Sequence, residues 1–252
     1  TARFNVYFGR GRDLYDVPGR VAHESIFNTT DGHYRCASTQ QGYTPFSTWT
    51  RGLAWILCGY PEQLEFLDRL PEAALAPFGG RQAILDRFLE VALAVAEFSI
   101  RESPTDGIPY WDTGAPGLVH LGDYLGRPAD PFNEHEPVDS SAAAIGAQGL
   151  LRLGRYLEHH GRTAEGRRYT AAGLTIARTL FAEPYLSLDP AHEGLLLHTV
   201  YHRPNGWDHV PPGRKVPCGE SALWGDYHLR ELALYIRRLA AGGPYLTFFG
   251  TI

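Results

Sequence analysis

Apolar positions recur at helical spacing over most of the chain. Between residues 81 and 102, Ile84, Phe88, Val91, Val95 and Phe98 share one broad face, the pattern of an amphipathic helix. A second helix is predicted over 47–59, opened by Ser47 and Thr48 as N-cap candidates. Asp139 caps a third over 140–158, a partner follows over 164–182, and the last spans 219–240. Near the start, Phe4, Val6, Tyr7 and Phe8 read as the end of a helix over 1–9, with another over 13–27. Two short β segments are predicted, at 33–39 after the turn cluster 28–32, and at 195–202.

The links matter as much as the helices. Residues 103–138 and 203–218 are rich in Gly, Pro and Asp, and a loop as long as the first is usually functional. Helix, short link, helix, long loop is the rhythm of antiparallel helical hairpins, so the expected class is all-α. Gly52, Gly146 and Gly149 lie inside helical runs, where they predict close helix–helix approach, as the inner helices of a toroid require. No transition marks a boundary, so residues 1–252 are expected to form one domain.

Composition then removes several functions. Hydrophobic residues are 44% and charged residues 20%, which is ordinary for a globular protein and unlike a disordered one. The formal charge is −5 without a basic stripe, which argues against nucleic acid or an anionic membrane as partner. No apolar run is long enough to cross a membrane. Cys36, Cys58 and Cys218 are too scattered for a disulfide framework or a zinc motif, and read as free thiols. A cytoplasmic location is expected. The chain has no Met, and Lys215 is its single lysine.

Candidate chemistry gathers in four segments. Arg51 and Trp55, four residues apart, share a helix face after Gln41 and Trp49. An arginine among apolar groups is either braced by an aromatic stack or binds an anion, and the spacing leaves both open. Trp111 and Asp112 stand in the long loop, where Asp112 is a turn-former or a pocket residue. His198, His202 and His209 lie close in sequence but lack a matched carboxylate, so no metal site is expected there. Trp224 and Tyr227 are a packed pair or a sugar platform.

Taken in order, STWTRGLAWILCGYPEQLEFL, GIPYWDTGAP, PVDSSAAAIGAQGLLRLGRYL, GLLLHTVYH and ESALWGDYHLRELALYI resemble segments of the unsaturated glucuronyl hydrolases of glycoside hydrolase family 88. The unsaturated rhamnogalacturonyl hydrolases of family 105 are the near alternative. The resemblance implies an (α/α)6 barrel of six helical hairpins. About seven helices are predicted here, so the barrel is expected to be incomplete, with this sequence as its C-terminal two-thirds and the catalytic aspartate ahead of Thr1.

The resemblance also implies the chemistry. The substrate is an oligosaccharide ending in a 4,5-unsaturated uronic acid, an enol ether whose double bond is hydrated. No metal or organic cofactor is required. It assigns Gln41, Trp49, Arg51 and Trp55 to the substrate, with Arg51 on the uronate carboxylate and Trp55 stacked on the sugar, and less directly Tyr201; Trp111 and Asp112 are added from the loop. An active-site histidine is expected at His33, or its place is taken by Arg35. Two departures stand out: Gln40-Gln41-Gly42-Tyr43 where the family has His-Gln-Gly-Tyr, and Leu53 where it has Gln. The alternative to an enzyme is a non-catalytic saccharide-binding toroid.

Overall fold

The computed structural model describes residues 1–244, 246, 247, 250 and 251. Its elements follow the order β1 (Glu24–Phe27), β2 (Tyr34–Ser38), α1 (Thr50–Arg69), α2 (Glu72–Leu75), α3 (Arg81–Arg101), α4 (Ser140–His159), α5 (Thr163–Leu180), α6 (Leu223–Ala240), β3 (Leu246–Thr247) and β4 (Gly250–Thr251). The five long helices carry the architecture.

Three of them run side by side in one direction. Arg51 of α1 meets Ser141 of α4, and further along Glu65 meets Arg152. Ser141 meets Trp224 of α6, and Gln148 then meets His228. Contacts that advance together on both partners define parallel helices. The outer helices run back: Tyr60 of α1 stacks on Phe88 of α3 at 5.1 Å, and α5 lies on α4 with Gly166 against Gly154 and Gly173 against Leu151. Helix α4 is the central one, with 17 buried residues from Ser140 to Leu157. Its small side chains let both neighbours approach. A Cβ on Gly149 would stand 2.3 Å from the Leu57 carbonyl oxygen, whereas one on Gly146 would make an ordinary contact with Leu57 Cδ2 at 3.8 Å.

Helix α1 continues ten residues past its predicted end at 59, through Pro61 to Arg69. Pro61 has no N–H to give the Leu57 carbonyl four residues back. That carbonyl is the group against which Gly149 packs. The N-cap is Trp49, without a side-chain cap bond; Thr48 instead donates its hydroxyl to the Val21 carbonyl. Gly52 serves no helix–helix contact, because the Trp49 indole folds over it, 2.7 Å from where a Cβ would stand.

The first 23 residues are not helical. Thr1–Asn5 make one turn, Val6 bridges Val21, and the Asp16 carboxylate accepts from the backbone of Phe8, Gly9, Arg10 and Arg12. Gly19 explains the break: its φ is +82°, and a Cβ there would lie 2.0 Å from the Ala94 carbonyl of α3. The predicted strand at 33–39 is β2, paired antiparallel with β1 through Glu24↔Ser38. The β segment at 195–202 reduces to one bridge, Leu186↔Leu196, because Asp226 takes the Leu195 and Leu196 amides and His198 turns to φ +65°.

Among the described residues no helix is long and apolar enough to cross a membrane.

Candidate functional site

Because α1, α4 and α6 are parallel, their N-termini share one end, and the long loops close over it. The Thr50 amide donates to the Trp111 carbonyl at 3.0 Å, and Trp49 pairs with Asp112 in a β-bridge. Beside α1 opens a cleft of about 770 Å³ whose walls include Asn5, His23, Gln41, Trp49 and Trp55.

His23 is the polar centre of this wall. Its Nδ1 accepts from the Gln40 and Gln41 amides at 3.3 and 3.4 Å and lies 3.3 Å from Thr39 Oγ1. Two backbone donors on Nδ1 fix the tautomer, so Nε2 carries the proton and the ring is a neutral donor. Burial lowers its pKa, which keeps it neutral. The imidazole packs on the Trp49 indole at 4.6 Å. Trp55, six residues further on, is 40% exposed, and its ring meets His228 edge-on at 5.2 Å.

Arg51 packs on the Trp49 ring that lines this cleft. Its guanidinium is buried, and Nη1 donates to Asp139 Oδ2 at 3.0 Å, to Ser141 Oγ at 3.4 Å and to the Val200 carbonyl. Nη2 donates to the Tyr201 carbonyl at 2.8 Å. The group lies between the Trp49 and Trp224 rings, 4.9 Å from each. Asp139 meanwhile caps α4, its Oδ1 accepting from the Ser141 and Ala142 amides. Arg51 thus has an internal acid and joins α1 to the cap of α4 and to the backbone of Val200 and Tyr201.

Trp111 and Asp112 lie outside the cleft. Asp112 accepts from the Tyr43 amide at 2.8 Å and the Gly114 amide at 2.9 Å, and burial raises its pKa. It is the turn-former of the two readings. Trp111 donates through Nε1 to Glu136 at 2.8 Å and borders a smaller pocket of about 220 Å³ with Tyr43 and Arg203. Tyr201 is half exposed and packs at a tilt against Trp207 and Trp224. Of the seven residues expected on the substrate, Gln41, Trp49 and Trp55 meet in the cleft.

His23 lies in the stretch 13–27, where the apolar pattern predicts a helix and singles out no histidine. His33 is exposed and pairs with Asp31 in the hairpin turn, and Arg35 belongs to β2, so neither reaches the cleft. The signal that points to His23 is the Gly/Pro-rich run before it, which forbids a helix and brings residues 21–23 against Trp49. His198 accepts from the Gly219 amide and His202 from the Asn205 amide. Among the described residues no group of three or more His, Cys, Asp and Glu could hold a metal ion.

No family model matches the chain. It is 27% identical to the unsaturated glucuronyl hydrolase of Bacillus sp. (strain GL1) over 224 residues, 88% of this chain and 48% of that protein. It is 27% identical to the unsaturated chondroitin disaccharide hydrolase of Streptococcus pyogenes serotype M1 over 233 residues, 91% of this chain and 47% of that one. The crystal structure of the Bacillus sp. GL1 enzyme superposes on 96% of this chain and 50% of its own, with a TM-score of 0.66. The chain is similar to the unsaturated glucuronyl hydrolases over most of its length. Its fold is the (α/α)6 toroid type of those hydrolases. The chain spans about half the length of the curated relatives it matches, less than the two-thirds expected.

Proposed function

We propose that the chain is part of a glycoside hydrolase that removes a terminal 4,5-unsaturated uronic acid from lyase-generated oligosaccharides. The observation that carries this reading is the cleft in which Trp49, Trp55, Gln41 and a neutral His23 converge, in a chain similar to the glucuronyl and chondroitin disaccharide hydrolases. A further solved structure, 27% identical to this chain with a TM-score of 0.66, carries dGlcA-Glc-Rha-Glc.

The residues supply binding and orientation. Trp55 offers its exposed face to the apolar side of the sugar ring. Gln41 and the Nε2–H of His23 bond to ring hydroxyls or the carboxylate. Trp49 forms the wall behind them, held in place by Gly52 and Arg51.

The reaction adds water across the double bond. A proton goes to C4, the positive charge falls on C5 and the ring oxygen, and water attacks C5. The hemiketal then opens and expels the remaining saccharide. One carboxylate acting first as acid and then as base suffices. Asp112 and Asp139 lie outside the cleft and are held by the fold. The second reading is a binding-only toroid that uses the same aromatic cleft. The three free cysteines accord with a reducing compartment, and we place the protein in the cytoplasm.

The decisive experiment incubates the intact protein with unsaturated disaccharides from a polysaccharide lyase and follows the absorbance of the double bond. Loss of absorbance supports the hydrolase. Binding without loss supports the second reading.

A further inference from the structure

We propose that Tyr201, Trp207 and Trp224 form an outer saccharide subsite, a shelf for the sugar units beyond the uronic acid; this rests on the function proposed above. The rings make one staggered ladder. Tyr201 lies 5.5 Å from Trp224 and 5.7 Å from Trp207, with interplanar angles of 34° and 36°. Trp207 is 58% exposed and Tyr201 47%. Large aromatic faces left in water gain nothing for the fold, and exposed ones in series suit a ligand with repeated apolar faces.

The shelf is held rigid without a ligand. The buried Asp208 carboxylate accepts the backbone N–H of both Tyr201 and His202. His202 is buried, accepts from the Asn205 amide at 3.4 Å, and supports Trp207 from beneath at 4.8 Å. Trp224 is tied through Nε1 to Ser141 Oγ at 3.1 Å. Rings fixed in this way lose little freedom on binding, which favours affinity.

Continuity with the cleft selects a saccharide as the occupant. The Arg51 guanidinium fills the gap between Trp224 and Trp49, so one stack runs from the cleft wall out to Trp207. The charge inside that stack is answered by Asp139, which leaves the outer rungs to a neutral ligand. A sugar chain whose first unit occupies the cleft has the ladder as its path outward.

The test compares an unsaturated disaccharide with the unsaturated tetrasaccharide released by the same lyase, by calorimetric titration of the protein and of Trp207→Ala and Trp207→Phe. We expect the wild type to bind the tetrasaccharide at least tenfold more tightly than the disaccharide. Trp207→Ala should bring that ratio close to one, and Trp207→Phe should restore part of it. A wild-type ratio of one, with the disaccharide still bound, overturns the shelf and leaves the cleft reading standing. A ratio retained in Trp207→Ala also overturns the shelf. If the wild type binds neither sugar, the cleft reading fails and the shelf falls with it.

Discussion

The guanidinium of Arg51 and the carboxylate of Asp139 meet at 3.0 Å, with almost no solvent on either side chain. The pair joins the first turn of α1 to the cap of α4, and its remaining donors hold the backbone of Val200 and Tyr201. Three chain segments thus depend on one ion pair. Taking either partner away strands the other charge in a place where water cannot reach it.

Arg51→Ala is therefore expected to destabilise the protein by about 3–5 kcal/mol, the usual cost of breaking a buried pair. Asp139→Ala should cost a similar amount or more, because it also removes the α4 cap. The double variant should cost less than the two together. Urea unfolding of the four proteins measures this. Singles that cost under about 1 kcal/mol, as an exposed pair would, reject the clamp.

His198 gives the protein an acid limit. Burial pushes its pKa down to about 4. The unfolded chain takes a proton there near pH 6.5, while the folded chain refuses it until about 4. The stability is complete above pH 6.5 and falls with pH through that window, by about 1 kcal/mol per unit for such a group. His23 and His228, whose pKa values burial also lowers, act in the same direction. His198→Asn should flatten the dependence, since Asn tolerates the positive φ and can accept from the Gly219 amide. Denaturation midpoints between pH 4 and 7 check this, and an unchanged slope in the variant would exclude His198 as a source.

The helices over 81–102, 140–158 and 164–182 were legible in the sequence because their faces are set by local period and caps. The chain before β1 was not, because apolar residues there serve a turn pinned by Asp16 and a glycine pressed on α3. The site divides the same way. Trp55 follows from helical spacing on α1, and Trp49 from the resemblance. Whether Arg51 meets a ligand or an internal acid depends on Asp139, 88 residues away, which no local spacing reveals. His23 reaches the cleft by a tertiary turn, and the Gly/Pro-rich run before it is the one local sign that the chain is not helical there.

Trp55→Ala tests the cleft itself. The side chain is partly exposed and ends against His228, so its loss should disturb the fold little. It removes the stacking face offered to the sugar. Disaccharide binding should weaken about tenfold or more, or roughly 1.4 kcal/mol. Calorimetry with the unsaturated disaccharide reads it directly, and undiminished affinity would place the sugar elsewhere.

Two glycines on α4 should respond in opposite ways. At Gly149 a methyl group would stand 2.3 Å from the Leu57 carbonyl oxygen and 2.5 Å from its carbon, backbone atoms that cannot rotate away. Pro61 has already left that carbonyl without its helical donor, so α1 and α4 are free to meet at this point, and Gly149→Ala must push them apart. We expect it to cost at least about 1–3 kcal/mol, the range for overpacking a core. At Gly146 the same methyl would touch only the end of the Leu57 side chain at 3.8 Å. There the helical preference of Ala over Gly should prevail, and Gly146→Ala should stabilise the protein by about 0.5–1 kcal/mol. Thermal unfolding of the two variants side by side decides the matter. Equal effects would mean that the close crossing of α1 and α4 is not where Leu57 and Gly149 place it.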